Sequence, residues 1–165
     1  MAKAKKPKEQ DQRNRVIANN RKARHDYLIE DTVEAGLALM GTEVKSLRMG
    51  RATITEGWAS EKNGELWLEG VNIPEYLNGS WTNHSARRRR KLLMHRHEMD
   101  KFIRKSEEAG HTLVPLSMYF KNGRVKVEIA LAKGKREFDK RETLRRRTDD
   151  REAQRAIQVH LKRGR

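Results

Sequence analysis

Alternating apolar and polar positions mark the middle of the chain and predict β-strands. From Tyr27 to Val33 the alternation places Tyr27, Ile29 and Val33 on one predicted face. Leu37 and Leu39 indicate a second short strand after it. This part of the chain is therefore predicted to form strands that are half-buried in a sheet.

Two Asn-Gly pairs predict β-hairpins, because Asn-Gly tolerates the positive φ angles of a type I′ turn. They are Asn63-Gly64 and Asn122-Gly123. The strands they would join are 53–61 with 65–69, and 112–120 with 124–132. In the second hairpin, Pro115 predicts an edge position or a bulge. The predicted core face of that hairpin consists of Val114, Leu116, Met118, Phe120, Val125, Val127, Ile129 and Leu131.

Two further segments have helical patterns. A short helix is predicted from Thr42 to Met49, with Val44 and Leu47 inward and Gly50 as its stop. A longer helix is predicted over 92–109, and it is followed by Gly110. Its apolar face consists of Met99, Phe102 and Ile103. About six short strands with one long helix predict a mainly β fold with flanking α, namely a small closed OB-like β-barrel.

Positive charge is concentrated at the two ends and in one internal run. The formal net charge is +15 and the pI is about 10.4. Residues 1–26 carry nine Lys or Arg and three Asp or Glu, and residues 133–165 carry thirteen and six. The run from Arg87 to Lys91 adds five cations. Such a distribution favours binding to a polyanion.

These patterns predict three regions. Residues 1–20 form a disordered basic segment, 21–133 form an OB-like RNA-binding barrel, and 134–165 form a basic tail that is disordered when free. The tail has good helix formers, but its apolar residues are sparse. Only Ala153, Ile157 and Leu161 make a thin i, i+4 stripe. A helix this polar would gain little by docking on its own barrel and could fold on a partner.

The sequence predicts no enzyme, metal or cofactor. There is no cysteine, which excludes disulfides and thiolate chemistry. His95 and His97 flank Arg96, whose charge disfavours a divalent ion. His25-Asp26 has no accompanying nucleophile motif. No secretory signal and no apolar run of about 18 residues is present, which predicts a cytoplasmic protein.

Residue types suited to RNA lie together at 21–27. Arg21, Lys22 and Arg24 supply phosphate contacts, and His25 and Tyr27 directly after them can stack on bases. An equally valid interpretation places Tyr27 in the core and makes His25 incidental. Three tryptophans, Trp58, Trp67 and Trp81, are interpreted as core or barrel-rim residues rather than stacking platforms.

Several segments together resemble the SsrA-binding protein family over roughly residues 18–150. They are NRKARHDY at 20–27, EAGLAL at 34–39, GTEVKSLRMG at 41–50, RKLLMH at 90–95, TLVPLSMYFKNGRVKVEIALAKGK at 112–135 and DKRETLRRR at 139–147. The resemblance implies an OB-type barrel without catalytic residues. It also implies binding to the tRNA-like domain of transfer-messenger RNA, and delivery of that RNA to the A site of stalled ribosomes.

The resemblance further implies the residues that bind each partner. The RNA-binding set is Asn20, Arg21, Lys22, Arg24, His25, Tyr27, Glu34, Lys45, Arg90, Lys91, Leu93 and His95. In GTEVKSLR, Glu43, Lys45 and Arg48 could be structural as much as direct contacts. The tail set is Gly134, Lys135, Arg136, Phe138, Asp139, Lys140, Arg141 and Ile157. The implied partners are transfer-messenger RNA and the 16S rRNA decoding region, where the tail becomes helical. The chain would act as a monomer away from membranes.

One departure and two alternatives accompany the resemblance. Residues 82–89 read TNHSARRR where the family usually has prolines, and the extra arginines should strengthen phosphate binding. The alternative binding class is a ribosomal or general RNA-chaperone protein that binds many RNAs with similar affinity. A nuclease or RNA-modifying enzyme is disfavoured because no carboxylate cluster or acid/base pair is evident.

Overall fold

The computed structural model describes residues 13–78, 83–135 and 137–163, with the side chains of 137–143 and 163 left aside. Within these ranges the chain forms seven strands and four helices. The strands are β1 (Val16–Asn19), β2 (Tyr27–Leu37), β3 (Trp58–Lys62), β4 (Glu65–Glu69), β5 (Arg90–Leu93), β6 (His111–Lys121) and β7 (Arg124–Gly134). The helices are α1 (Arg21–Asp26), α2 (Gly41–Arg48), α3 (Arg96–Ser106) and α4 (Glu137–Arg163).

The strands form one sheet that closes on itself. Their order is β1-β6-β3-β4-β5-β2-β7, and β7 also pairs with β6. That last pairing joins six of the strands in a ring, while β1 lies beside β6. The main core fills the ring and includes Leu66, Leu92, Met118 and Val127. The predicted fold class, mainly β with flanking α and an OB-like barrel, is confirmed.

The two Asn-Gly hairpins are confirmed by their turn geometry. Asn63 and Gly64 have φ of 54° and 76°, and Asn122 and Gly123 have φ of 51° and 77°. The first hairpin joins β3 to β4 and the second joins β6 to β7. The first strand of the earlier hairpin is shorter than predicted, because β3 begins only at Trp58.

Pro115 causes a bulge that changes which face of β6 is buried in the barrel. The register against β7 shifts between Pro115 and Ser117. After the shift, Met118 and Phe120 point into the main core as predicted. Before it, Val114 and Leu116 belong to a second cluster, together with Ala23 of α1. The prediction that all four apolar residues share one face was therefore wrong, since a bulge interrupts strict alternation.

Two element boundaries differ from the predictions. The residues predicted as two strands, around 27–33 and 37–39, belong to one continuous β2 that ends at Leu37. The predicted helix over 92–109 begins only at Arg96, because the residues before it form β5. That strand pairs with both β2 and β4 and completes the ring. Tertiary pairing thus overrides the local helical pattern at 92–93.

The N-terminal and C-terminal parts also have regular structure. The sequence predicts disorder through residue 20, but Val16–Asn19 form β1 along the edge of β6. Ile17 and Ala18 pack against the main core, which explains the ordered strand. Residues 1–12 lie outside the described residues. The chain divides into two compact units at the Lys133–Gly134 junction, and α4 belongs to the second unit.

Candidate RNA-binding surface

Glu34 lies on the exposed face of β2, opposite the end of β6. Its carboxylate accepts a hydrogen bond from the Tyr119 hydroxyl, and Lys121 Nζ lies 3.3 Å from each carboxylate oxygen. Tyr119 and Lys121 alternate with the core residues Met118 and Phe120, so their side chains leave the barrel on the opposite face. Strand alternation therefore brings an acceptor, a phenol and a cation together at the surface.

Electrostatics fix the charge state of this group. The hydrogen bond from Tyr119 lowers the pKa of Glu34 despite partial burial, and Lys121 and Lys126 lower it further. Burial and the same hydrogen bond raise the pKa of the Tyr119 hydroxyl well above its ordinary range. At neutral pH the surface thus holds a carboxylate and a protonated phenol. It can accept hydrogen bonds through one and contact phosphates through the lysines.

A groove of about 410 Å³ continues from Glu34 along the same side of the barrel. Gly36, two residues after Glu34, pairs with Leu93 of β5, and a Cβ at Gly36 would lie 3.4 Å from Leu93 Cβ. Leu93 is 48% exposed, although leucine is usually buried. Arg124 and Lys126 of β7 also line the groove. We call this region the Glu34 surface; it comprises Glu34, Gly36, Leu93, Tyr119, Lys121, Arg124 and Lys126.

The predicted patch at 21–27 lies on and after α1. Arg21, Lys22 and Arg24 are exposed, as phosphate contacts require. His25 is half-buried, and its Nδ1 lies 3.0 Å from an Asp26 carboxylate oxygen. Tyr27 packs partly against the second apolar cluster. The interpretation of Tyr27 as a core residue therefore holds in part.

The α1 patch and the Glu34 surface lie towards opposite ends of β2. Tyr27 and Glu34 are seven residues apart, which is about 23 Å along a strand at ~3.3 Å per residue. The predicted residues therefore do not converge on one spot. Of the predicted set, the structure brings only Glu34 and Leu93 into the Glu34 surface.

Two predicted RNA contacts, Asn20 and Arg90, are buried and have structural roles. Asn20 caps α1 by accepting a hydrogen bond from the Ala23 N–H at 3.0 Å, and its amide donates to the Pro115 carbonyl at 2.9 Å. Arg90 is fully buried, and its Nε lies 2.8 Å from Glu43 Oε1. Neither residue reaches the surface, so direct RNA contact by them is corrected to support from beneath it.

The remaining predicted contacts are scattered. Lys45 is exposed on α2, with its Nζ 5.5 Å from the centre of the Tyr76 ring. Lys91 lies 2.8 Å from a Glu65 carboxylate oxygen. His95 is exposed just before α3, and its ring centre lies 5.8 Å from that of His97. Within the described ranges, no group of three or more His, Asp or Glu residues is arranged to hold a metal ion.

Sequence reasoning missed several residues of these surfaces. Tyr119, Lys121, Arg124 and Lys126 alternate with the predicted core positions of the second hairpin, so the same periodicity indicated that they face outward. Trp58 is 45% exposed and lies outside both apolar clusters, so its interpretation as a core residue was wrong. Trp67 lies under the Arg89 guanidinium, 5.2 Å from its carbon. Trp81 lies outside the described residues.

The tail residues are described only in part. Gly134 is exposed at the end of β7, and Ile157 is 60% exposed on α4. All side chains described on α4 are exposed, over residues 144–162. Arg136 and the side chains of Phe138, Asp139, Lys140 and Arg141 lie outside the described residues. No helix in the described part of the chain is long and apolar enough to cross a membrane.

Comparisons with known proteins relate this barrel to one family. A family model described as SmpB protein matches residues 17–159. An SsrA-binding protein from Renibacterium salmoninarum is 66% identical over 143 residues, which cover 87% of this chain and 92% of the relative. Another from Thermobifida fusca is 61% identical over 153 residues, covering 93% of this chain and 96% of the relative.

A solved structure supports the same relationship. Its chain, described as "tmRNA-SmpB: a journey to the center of the bacterial ribosome", is 50% identical and superposes with a TM-score of 0.64. The match covers 79% of this chain and 95% of the other. With a family model that covers most of its length and relatives above 60% identity, this chain belongs to the SmpB protein family.

Proposed function

We propose that this protein binds the tRNA-like domain of transfer-messenger RNA and delivers it to the A site of stalled ribosomes. The observation that carries the proposal is the Glu34 surface. It combines an ionised carboxylate, a phenol, three cations and an exposed leucine within one groove. Phosphates bind the cations, while Glu34 accepts hydrogen bonds from base amino groups. Names of the relatives supply the identity of the RNA.

The barrel and the tail have different tasks in this proposal. The barrel, over 21–133, holds the RNA, and the tail, over 134–165, acts on the 16S rRNA decoding region. The support is the basic, wholly exposed character of α4 across 144–162. Its cations bind rRNA phosphates, and Ile157 is an apolar anchor. The role is that of a cytoplasmic binding factor and not of an enzyme.

A competition titration tests the choice of RNA. Labelled transfer-messenger RNA is bound to the full chain at near-physiological salt, and bulk tRNA or an unrelated structured RNA is added in excess. Salt must be fixed because phosphate contacts alone weaken by orders of magnitude as salt rises. Transfer-messenger RNA should stay bound. Equal competition by all RNAs would instead support the general RNA-chaperone alternative.

A truncation tests the division of tasks. Deletion of 134–165 should leave the affinity for transfer-messenger RNA nearly unchanged, because the Glu34 surface lies wholly within the barrel unit. Tagging on stalled ribosomes should be lost in a reconstituted translation assay. A parallel loss of RNA binding and tagging would contradict the division.

A further inference from the structure

A second cavity lies away from the Glu34 surface, between α1, the loop before β3 and the first residues of β6. Its volume is about 190 Å³, smaller than the about 300–1,000 Å³ of a typical small-molecule site. It therefore suits a single flat ring system. We call it the Trp58 pocket; its lining includes Lys22, Asp26, Tyr27, Glu56, Trp58 and Thr112.

The Trp58 ring is held in place although nearly half of it is exposed. It rests against Gly70, where a Cβ would lie 2.6 Å from Trp58 Cζ3 and 2.5 Å from the Glu56 carbonyl oxygen. Gly70 also has a φ of +70°, which side-chain-bearing residues rarely adopt. A residue without a side chain is thus required beneath the ring. A fixed and exposed tryptophan can stack on a base at little entropic cost.

Charges of opposite sign are separated at this pocket. Asp26 and Glu56 line the cavity, while the cations of α1 lie outside it or at its mouth. Lys22 Nζ lies 3.5 Å from Glu56 Oε1, and both side chains are more than half exposed. Arg21 and Arg24 are exposed on the same short helix. A matching ligand is negative on its outside and carries hydrogen-bond donors on the part that enters.

We infer that the Trp58 pocket binds one unpaired guanine of an RNA. A carboxylate only accepts hydrogen bonds. Guanine presents two neighbouring donors, N1–H and the N2 amino group, whereas adenine, cytosine and uracil place an acceptor within the same edge. Trp58 stacks on the base, Asp26 or Glu56 accepts from its donor edge, and Lys22 and Arg21 contact the flanking phosphates. An arginine side chain also suits carboxylates and tryptophan, but the cations of α1 repel it.

The inference rests on the proposed RNA-binding function for the class of partner. Its test uses short labelled oligouridylates that carry one central guanine, adenine, cytosine or uracil, bound to the unmodified chain and followed by fluorescence anisotropy. The guanine oligomer should bind about tenfold more tightly than the others. Equal affinity for all four oligomers would overturn the inference.

Fluorescence and substitutions locate the contact. With Trp67→Phe and Trp81→Phe, Trp58 is the only tryptophan left, and the guanine oligomer should quench its emission. Glu56→Gln and Asp26→Asn together should remove the guanine preference while the affinity for oligouridylate is kept. Lys22→Ala should weaken all four oligomers alike. Guanine preference that survives Trp58→Ala, or quenching by an arginine-rich peptide in place of RNA, would overturn the inference.

The matched control is Glu34→Ala, at the other end of β2. It should weaken binding of transfer-messenger RNA and leave the guanine preference of the oligomers intact. If Glu34→Ala behaves so but the oligomers show no base preference, the Trp58 pocket fails while the proposed function stands. If transfer-messenger RNA itself shows no specific binding, the proposed function fails whatever the oligomers show.

Discussion

Glu43 and Glu34 are two glutamates with cationic neighbours, yet they lie in opposite environments. Glu43 is fully buried at the start of α2. Arg88 holds both of its oxygens at 3.1 and 2.8 Å, and Arg90 Nε lies 2.8 Å from one of them. Glu34 is exposed on β2, with Tyr119 and Lys121 as its partners. The pKa of each carboxyl is lowered, but the causes differ.

The difference separates a structural cluster from a binding surface. Burial acts against ionisation of Glu43, and its pKa is lowered because hydrogen bonds from Arg88 and the Met40 N–H, with the charge of Arg90, outweigh that penalty. Arg90 also donates to the carbonyls of Val71 and Ala86. The cluster ties three loops to the barrel and has no capacity left for RNA. The partners of Glu34 are open to solvent and can exchange for a ligand.

The largest expected effect is the loss of the buried carboxylate. Glu43→Ala leaves Arg90 charged and uncompensated in the core, which should lower the free energy of unfolding by about 3–5 kcal/mol. Urea unfolding followed by circular dichroism measures it. The matched control, Glu34→Ala, makes the same chemical change at the surface and should cost at most about 1 kcal/mol. Equal losses in the two variants would erase the distinction.

RNA affinity should show the reverse order. Glu34→Ala should weaken binding of transfer-messenger RNA by about 1–3 kcal/mol, since a hydrogen bond to a charged acceptor is lost. Leu93→Ala should act in the same direction because it removes the apolar wall of the groove. A filter-binding titration at fixed salt measures both variants. Unchanged affinity in folded Glu34→Ala would move the RNA to another face.

Acid should reduce the advantage of the buried cluster. A folded-state pKa of Glu43 below its ordinary 4.5 means that its stabilisation is fully present above that value and is lost as pH falls through the lowered pKa. The gap in unfolding free energy between the native chain and Glu43→Gln should therefore narrow below about pH 4.5. Unfolding titrations from pH 7 to acid test it, and a gap that widens with acid would contradict the sign.

The smallest effect is expected at a third carboxylate, which extends the comparison. Asp31 on β2 lies 3.3 Å from Lys101 Nζ and 3.6 Å from Lys105 Nζ of α3. These partners are 40–52% exposed, so water and salt screen the pair. Asp31→Asn should change the free energy of unfolding by less than about 1 kcal/mol. A thermal unfolding series at low and high salt measures it, and a loss as large as that of Glu43→Ala would show that exposure is not the deciding factor.

The sequence was most informative where local chemistry alone decides the structure. Asn63-Gly64 and Asn122-Gly123 adopt the positive φ angles that favour tight hairpins, whatever surrounds them. The alternation of Val125, Val127 and Ile129 placed β7 with its apolar face inward, as found. Periodicity failed at Pro115, where one bulge moved Val114 and Leu116 to a different cluster.

The candidate site shows the same division. Basic composition and quoted motifs indicated RNA and the family, and they named Glu34 and Leu93. Motifs could not distinguish Arg90, which is buried against Glu43, from Lys91 beside it, which faces solvent. Adjacent residues in a strand point to opposite faces, and only the pairing of β5 with β2 and β4 decides which face is inside.

By itself, then, the sequence determined the hairpins, the strand faces of β7, the basic character and the family. Those depend on local backbone preference, on period-two burial and on residue identity, all of which are written along the chain. Tertiary structure alone decided the closure of the ring, the burial of Asn20 and Arg90, and the meeting of Glu34 with Tyr119 and Lys121. These contacts join residues far apart in sequence, and their energies depend on burial that exists only once the barrel has closed.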